Sequence, residues 1–299
     1  MSFSQLLGQH FVHTALLAGA IVSVLCGTIG VFVVIRGMSF AVHAVSELAL
    51  TGAAGALLLG LSPVLGMFAG SLLTGGLLGG LTVRGRERDS AIGSFLAFGL
   101  GLGVLFIFLY HGYATTATGL LFGSIVGVND GQVAVLAGVA VFALATLAAT
   151  FWPLVFASVD PEAAEARGVS LRLLSVMLLM LVALTTAEAV QVVGVLLVLT
   201  LVITPAAAAT RLTARPVAAI GISVGISFAS AEGGILLSLV KAWPTSFFIS
   251  AISFAAYVVA RIVGASRLAR AGRTVQAVVA SEVAAHQVEP ERPMLGLPP

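Results

Sequence analysis

Long apolar runs dominate the sequence and limit what it can fold into. The hydrocarbon core of a bilayer is crossed by a helix of about 20 consecutive apolar residues, and runs of that length recur from residue 11 to residue 263 with short polar loops between them. The 299 residues are 59% hydrophobic and 9% charged, whereas soluble domains are about one quarter charged. The sequence therefore predicts an all-α polytopic membrane protein.

We predict about nine transmembrane helices. The stretch 171–204 is longer than one span, and AEAVQVVG at 187–194 interrupts it with two polar residues and a glycine, so we divide it there. Such a broken helix is tolerated beside protein or a water-filled cavity. One kinked helix over 171–205 would give eight spans instead. The predicted spans are 11–35, 38–60, 64–83, 90–110, 131–157, 171–186, 190–205, 217–240 and 245–263.

Basic residues orient the chain. Arginines occur in the loops 84–89, 158–170 and 204–216 and again in 261–273, whereas the single lysine, Lys241, falls in a loop on the other side. Because cytoplasmic loops are enriched in Lys and Arg, we expect the N-terminus outside and the C-terminus in the cytoplasm. The net charge of +2 does not indicate a nucleic-acid partner. We predict a transmembrane domain over 1–274 and a mobile cytoplasmic tail over 275–299.

Several segments and polar residues between the spans are expected to have local structural roles. Residues 119–129 are too short to cross the membrane and predict a short helix against the bundle. Asp160 and Pro161 begin a surface helix that ends at Gly168. Asp130 is expected to cap the fifth span rather than to bind a metal. His10 and His13 are expected to be ordinary residues at the membrane interface, and the alternative for both is a contact with a partner or a metal.

His43 and Glu47 are the strongest candidate functional residues. They are four positions apart, so on a helix they point the same way, one turn above the other. Ionisable residues inside a membrane span are costly and usually face a cavity or a protein interface. An imidazole and a carboxylate can also ligate a divalent metal. The alternative is a buried pair that only joins helices.

Two further glutamates lie in apolar surroundings. Glu188 falls in the predicted break between spans six and seven, where it is either a ligand for an incoming metal or a solvated loop charge. Glu232 lies within span eight beside serines and two glycines, where it is either a second carboxylate on an ion pathway or a contact between helices.

Five segments stand in order and with consistent spacing between about residues 10 and 264: IVSVLCGTIGVFVVIRGMSF (21–40), ERDSAIGSFLAFGLGLGVLF (87–106), LLFGSIVGV (120–128), DPEAAEARGVS (160–170) and VVGVLLVLTLVITPAAAATRL (192–212). Together they resemble the integral membrane permease of the zinc/manganese/iron (ABC-3) family of ABC importers. Members of that family usually have an Asp and a His four residues apart in the second span. Here AVHAVSELA at 41–49 offers His43 and Glu47, in the reverse order.

The resemblance implies a fold like that of type II ABC importers, in a bacterial cell membrane. It implies a transport subunit that works as a homodimer with separate cytoplasmic ATPase subunits and an extracytoplasmic metal-binding protein. The cargo would be zinc, favoured by the imidazole and the single carboxylate per chain, or manganese or iron, with no permanently bound cofactor. The segment that couples to the ATPase would comprise Pro205, Ala206, Ala207, Ala208, Ala209 and Arg211.

Other transporter classes remain open at this point. Glu47, Glu188 and Glu232 could relay protons in a secondary transporter that needs no ATPase, although the sequence shows no inverted repeat. A permease for a larger ligand such as a siderophore would need a wide aromatic cavity, and aromatic residues make up only 7% of the chain.

Overall fold

The computed structural model describes residues 9–81, 86–110, 128–241 and 243–287, and the side chains of all of these except 86–88, 196 and 267–287. Within these ranges the chain consists of helices and the turns between them, which confirms the all-α prediction. The helices are α1 (His10–Ile35), α2 (Ser39–Leu58), α3 (Pro63–Gly80), α4 (Arg86–Leu109), α5 (Asp130–Val159), α6 (Pro161–Ala166), α7 (Leu171–Val193), α8 (Val195–Val202), α9 (Thr204–Leu212), α10 (Pro216–Val240) and α11 (Thr245–Gln287).

Helices α1, α2 and α7 form the centre of the bundle. In the described part of the chain, eight helices are long and apolar enough to cross a membrane. About two thirds of α1 and of α7 is buried inside the protein, compared with 17% of α4 and 22% of α5. The buried fractions indicate that α4 and α5 present much of their surface to lipid, while the central helices pack against protein on most sides.

Small residues let α2 and α3 pack closely as an antiparallel pair. Gly52 approaches the backbone of Gly66, and Gly70 approaches the carbonyl oxygen of Leu48. Because α2 starts just after α1 ends, the end of α3 lies at the same end of the bundle as Ile35. We call this the Ile35 end, and the opposite one, where α1 begins, the His10 end.

The break in the sixth apolar stretch lies at Gly194, several residues after the predicted boundary at 187–189. Gly194 has φ 85° and ψ 160°, a conformation essentially restricted to glycine. At the Ile35 end, a Cβ added to Gly79 would lie 2.8 Å from the Val176 Cα, and Gly30 packs against Val202. The chain therefore leaves the Ile35 end along α7 and has returned to it by residue 202.

The predicted span 190–205 is consequently not a separate full-length helix. It comprises the end of α7, the eight-residue α8 and the start of α9. The turn at Gly194 nevertheless reverses the chain, as the division into two segments predicted. The reversal is possible because a glycine can take up the sharp change in direction that a continuous helix would not allow.

Helix α10 runs antiparallel to α1. Gly27 packs against Val224 and Gly19 packs against Glu232, so Glu232 lies nearer the His10 end. At the Ile35 end, Gly264 of α11 approaches the backbone of Arg211 in α9. Residues 10 and 264 therefore lie at opposite ends of the bundle.

The capping predictions are partly confirmed. Asp160 caps α6, because its Oδ1 accepts a hydrogen bond of 3.0 Å from the Ala163 N–H. The prediction that Asp130 caps α5 is wrong: Asn129 is the cap and forms a reciprocal capping box with Gln132. A capping box places the cap three residues before a Gln or Glu partner, so Asn129 was the better choice.

Two predicted segments lie largely outside the description. Residues 119–127 of the predicted short helix are not described, and neither are 82–85 of the charged loop. The predicted tail starts at 275, yet α11 continues as a helix to Gln287. The mobility of the tail stays a prediction.

Candidate metal pathway

An accessible strip on α2 carries the predicted His–Glu pair. Phe40 is 42% exposed, and His43 and Glu47 are each half-buried. These positions are three and four residues apart, so they lie along one face of the helix. The residues between them are buried: Ala41, Val42, Ala44, Val45 and Ser46. A central helix therefore keeps one polar strip open, in the half of α2 nearer the Ile35 end.

Nothing within the described residues satisfies the two side chains of this pair. Neither the His43 ring nor the Glu47 carboxylate has a hydrogen-bond partner there. By contrast, the neighbouring hydroxyls are used: Ser46 donates to the Val42 carbonyl at 2.7 Å and Thr51 donates to the Gly99 carbonyl at 2.8 Å. The imidazole and the carboxylate thus remain available for a ligand or for another chain.

Glu188 is not in a loop. It lies inside α7, five residues before the helix ends, and is 0% exposed. The reading of Glu188 as a solvated loop charge is therefore wrong, because the helix continues through the polar residues that suggested a break. Both of its carboxylate oxygens are buried without a hydrogen-bond partner. Unsatisfied buried polar groups are rare and often mark a bound water or ion.

Glu232 lies in α10 against α1. A Cβ on Gly19 would lie 3.1 Å from its Oε1, and this oxygen is buried without a partner. Nearby on the same seam, Ser23 donates to the Gly19 carbonyl at 2.6 Å and lies 3.3 Å from the Ser227 carbonyl. The hydroxyl oxygens of Ser223 and Ser227 are buried without partners. The seam between α1 and α10 is thus polar and closely packed.

The four predicted ligands do not form one site within a single chain. Among the described residues, no group of three or more His, Cys, Asp or Glu side chains is placed to hold a metal ion. His43 and Glu47 lie on α2 toward the Ile35 end, whereas Glu232 lies beside Gly19 on the other half of α1. A single copy therefore offers two ligands on the α2 strip and further carboxylates on α7 and α10.

The predicted coupling segment forms the helix α9 but is mostly covered by its own chain. Pro205, Ala206, Ala208 and Ala209 are buried against α1, α10 and α11. Ala207 and Thr210 are half-buried and Arg211 is exposed. A partner at the Ile35 end can therefore reach one face of α9, centred on Ala207 and Arg211.

A contact at the His10 end was missed by sequence reasoning. His10 Nε2 lies 3.1 Å from Asp130 Oδ1 and 3.0 Å from Asp130 Oδ2. The two residues are 120 positions apart in the chain, so no local pattern could have paired them.

Comparison with known proteins assigns the chain to a family. Residues 8–264 match the ABC 3 transport family (ABC-3). The chain belongs to the ABC-3 family. This ABC-3 chain is an ABC transporter permease, a multi-pass protein of the plasma membrane, and the secondary-transporter alternative is thereby set aside.

Named relatives of this ABC-3 permease include proteins assigned to different metals. It is 31% identical over 239 residues, 80% of this chain and 82% of the relative, to the manganese transport system membrane protein MntC of Halalkalibacterium halodurans. It is 29% identical, over 75% of this chain and 86% of the relative, to the high-affinity zinc uptake system membrane protein ZnuB of Haemophilus influenzae.

A solved structure has the same fold. A chain in PsaBC from Streptococcus pneumoniae in complex with Fab is 26% identical and superposes with a TM-score of 0.77, covering 86% of this chain and 94% of that chain.

Proposed function

We propose that this permease carries a divalent transition metal, zinc or manganese, into the cell and that His43 and Glu47 line its path. The observation that carries the proposal is the open strip on α2. An imidazole and a carboxylate without partners on a central helix are costly if they face lipid. They are favourable if a second protein surface covers them and an ion passes between.

The covering surface that fits best is a second copy of the chain. Each copy supplies one imidazole and one carboxylate, so two copies related by a two-fold axis supply four ligands. Four ligands suit zinc, and mixed nitrogen and oxygen ligands also accept manganese. The geometry of a shared site would also let the ion leave when the two copies move apart, as transport requires.

Ligand chemistry and the relatives point to different cargo metals. The imidazole and the single carboxylate per chain favour zinc. The manganese assignment of MntC, which is 31% identical to this chain, favours manganese instead. The reverse order of the two ligands on α2 leaves both side chains on the same face, so it does not separate the two metals. Uptake must therefore be measured for both.

Glu188 and Glu232 are proposed as additional carboxylates on the path. Both have buried oxygens without partners, which is the condition under which a passing cation or a water would be stabilised. Glu232 lies beside Gly19, on the half of α1 away from the α2 strip, so we propose that it contacts the ion at a different point of the route.

We propose that a partner ATPase binds at the Ile35 end and that α9 transmits its conformational changes to the permease. Arg36, Arg167, Arg172, Arg211 and Arg215 all lie at this end, which by the positive-inside rule favours it as the cytoplasmic side. An extracytoplasmic binding protein would then deliver the metal at the His10 end.

Uptake by variants of the α2 strip tests the proposal. His43→Ala and Glu47→Ala should each reduce uptake of the cargo metal to background, because each removes two of four ligands from the paired site. Labelled zinc and manganese are measured separately in cells that lack other importers and express the complete transporter. His13→Ala, which removes an exposed imidazole elsewhere, is the matched control.

Two results would count against the pathway. Normal uptake of both metals by both strip variants would exclude the α2 strip. Loss of the protein from the membrane in either variant would show a structural role, so the amount of permease and its co-purification with the ATPase are measured in parallel.

A further inference from the structure

His10 and Asp130 form an exposed pair where α1 and α5 begin. The Nε2 atom of His10 lies 3.0 Å and 3.1 Å from the two Asp130 oxygens. The side chains are 79% and 74% exposed, respectively. Imidazole and carboxylate groups bind transition metals, and here one of each already face each other at the His10 end of the bundle.

The surrounding residues hold this pair in place. The Thr14 side chain is buried, and its hydroxyl lies 3.0 Å from the His10 carbonyl oxygen and 3.4 Å from Asp130 Oδ1. The start of α5 is fixed by the capping box between Asn129 and Gln132. Because Asn129 provides the cap, the Asp130 carboxylate is free to face His10. A hydrogen bond to a carboxylate, such as the one from Thr14, orients that carboxylate for binding a metal.

We infer that His10 and Asp130 bind a divalent transition metal ion such as zinc. Two ligands on a tetrahedral zinc, each about 2 Å from the metal, are separated by about 3.3 Å, and here the nitrogen and the oxygen are 3.0 Å apart. A small outward movement of either side chain lets the metal replace the proton between them. Water completes the coordination, since the described residues supply no third His, Cys, Asp or Glu ligand.

The site is weak by construction. It has two protein ligands, and both residues begin helices, where the positive end of the helix dipole opposes a bound cation. Weak binding suits a place where a metal is received and passed on. The role as a receiving site ahead of His43 and Glu47 rests on the proposed function, whereas the binding itself does not.

The competing explanation is an ion pair that only ties α1 to α5. Exposed ion pairs contribute little to stability, and such a pair would not respond to added metal. Chemical modification of the two nearby histidines distinguishes the explanations. His13 is also exposed, one turn further along α1, and is not bonded to Asp130, so it serves as an internal control.

The experiment uses the purified full chain in lipid nanodiscs. Histidines are modified with diethyl pyrocarbonate at increasing zinc concentrations, and mass spectrometry measures the rates at His10 and His13. At a zinc concentration ten times the Kd only about one tenth of the sites are free, so modification of His10 should slow about tenfold. The rate at His13 should not change, and magnesium, which prefers oxygen ligands, should protect neither residue.

Variants of the acidic partner complete the test. Asp130→Asn should abolish the protection of His10 by zinc, and Asp130→Glu should retain part of it. An unchanged rate at His13 shows that the start of α1 is still folded in each variant.

Three outcomes would contradict the proposed metal site: no protection of His10 at millimolar zinc, equal protection of His10 and His13, and protection of His10 that persists in Asp130→Asn. Since the readout is modification of His10, it is separate from uptake through the α2 strip. Loss of uptake in His43→Ala together with intact protection of His10 would support both proposals independently.

Discussion

At the scale of single residues, glycines decide how closely the central helices pack. A Cβ on Gly52 would overlap the carbonyl oxygen of Gly66 and would lie 3.0 Å from the Gly70 Cα. Membrane helices lack a hydrophobic driving force between them, so close backbone approach through small residues provides much of their association energy. The α2 strip is therefore positioned by glycines on the opposite side of the same helix.

We predict that Gly52→Ala destabilises the bundle. The added methyl group must displace backbone atoms of α3, and overpacking of this kind costs about 1–3 kcal/mol of unfolding free energy. The measurement is the thermal unfolding midpoint of the purified protein in one detergent.

Gly76→Ala on α3 is the matched control, because the nearest atom to its added Cβ, the Met180 sulfur, is 3.9 Å away. Alanine favours helix over glycine by up to about 1 kcal/mol, so this variant should keep or raise the midpoint. Equal midpoints for the two variants would contradict the packing described here.

At the scale of elements, α9 has one face buried against its own chain and one accessible face, formed by Ala207 and Arg211. Its alanines give a helix that is narrow enough to fit between α1, α10 and α11, and Pro205 suits its first turn. Burial of Ala206, Ala208 and Ala209 fixes the helix to the bundle. Movement of α9 would therefore be transmitted to the helices that surround it.

We predict that Ala207→Glu uncouples ATP hydrolysis from transport while leaving the permease folded. Ala207 is half-buried on the accessible face of α9, so a charged side chain there can reach solvent but would obstruct a partner. Arg211→Glu should act in the same direction, because it reverses the charge of the exposed residue. ATPase activity and metal uptake are measured on the same reconstituted complexes.

Ala166→Glu in α6 is the control for this experiment, since it adds the same charge to an exposed position at the Ile35 end outside α9. Full coupling in Ala207→Glu and Arg211→Glu would remove α9 from the interface with the ATPase.

At the scale of the whole molecule, the distribution of exposed surface favours a pair of copies. Helices α4 and α5 carry large exposed apolar side chains, including Phe98 at 70% and Phe142 at 62% exposure, as expected of surfaces that face lipid. The α2 strip differs, because an imidazole and a carboxylate are open beside Phe40. A single copy in a membrane would leave this polar strip against hydrocarbon.

We predict that Glu47→Cys forms a cross-linked dimer in membranes. If two copies pair across the α2 strip, as proposed, the two-fold axis would bring each copy of residue 47 close to its equivalent, within reach of a short bifunctional thiol reagent. The chain has one cysteine, the buried Cys26, so Cys26→Ala provides a background without thiols. The product is detected as a band of twice the mass on a denaturing gel.

Phe98→Cys is the control, because residue 98 is an exposed apolar position on α4, where lipid contact is expected, and this variant should stay monomeric. Cross-linking at residue 98 with none at residue 47 would place the dimer interface on the lipid-exposed helices instead.

The sequence by itself determined the class of protein and most of its spans. These predictions rest on apolar runs of bilayer length, on the arginines in loops and on the spacing of His43 and Glu47. Each of these depends only on neighbouring residues in the chain, so packing by distant segments does not change it. The cap at Asp160 belongs to the same group, since it depends on neighbours within three residues. The resemblance to the ABC-3 family rested on five short segments in order, and the family match over residues 8–264 confirms it.

The tertiary structure decided what depends on distant residues. Glu188 looked like a loop residue because of its polar neighbours, but packing by other helices carries α7 through it to Val193. The burial of most of α9 and the contact between His10 and Asp130 likewise depend on segments far apart in the chain. Periodicity and composition describe one segment at a time, whereas burial and pairing are properties of surfaces that meet only when the chain has folded.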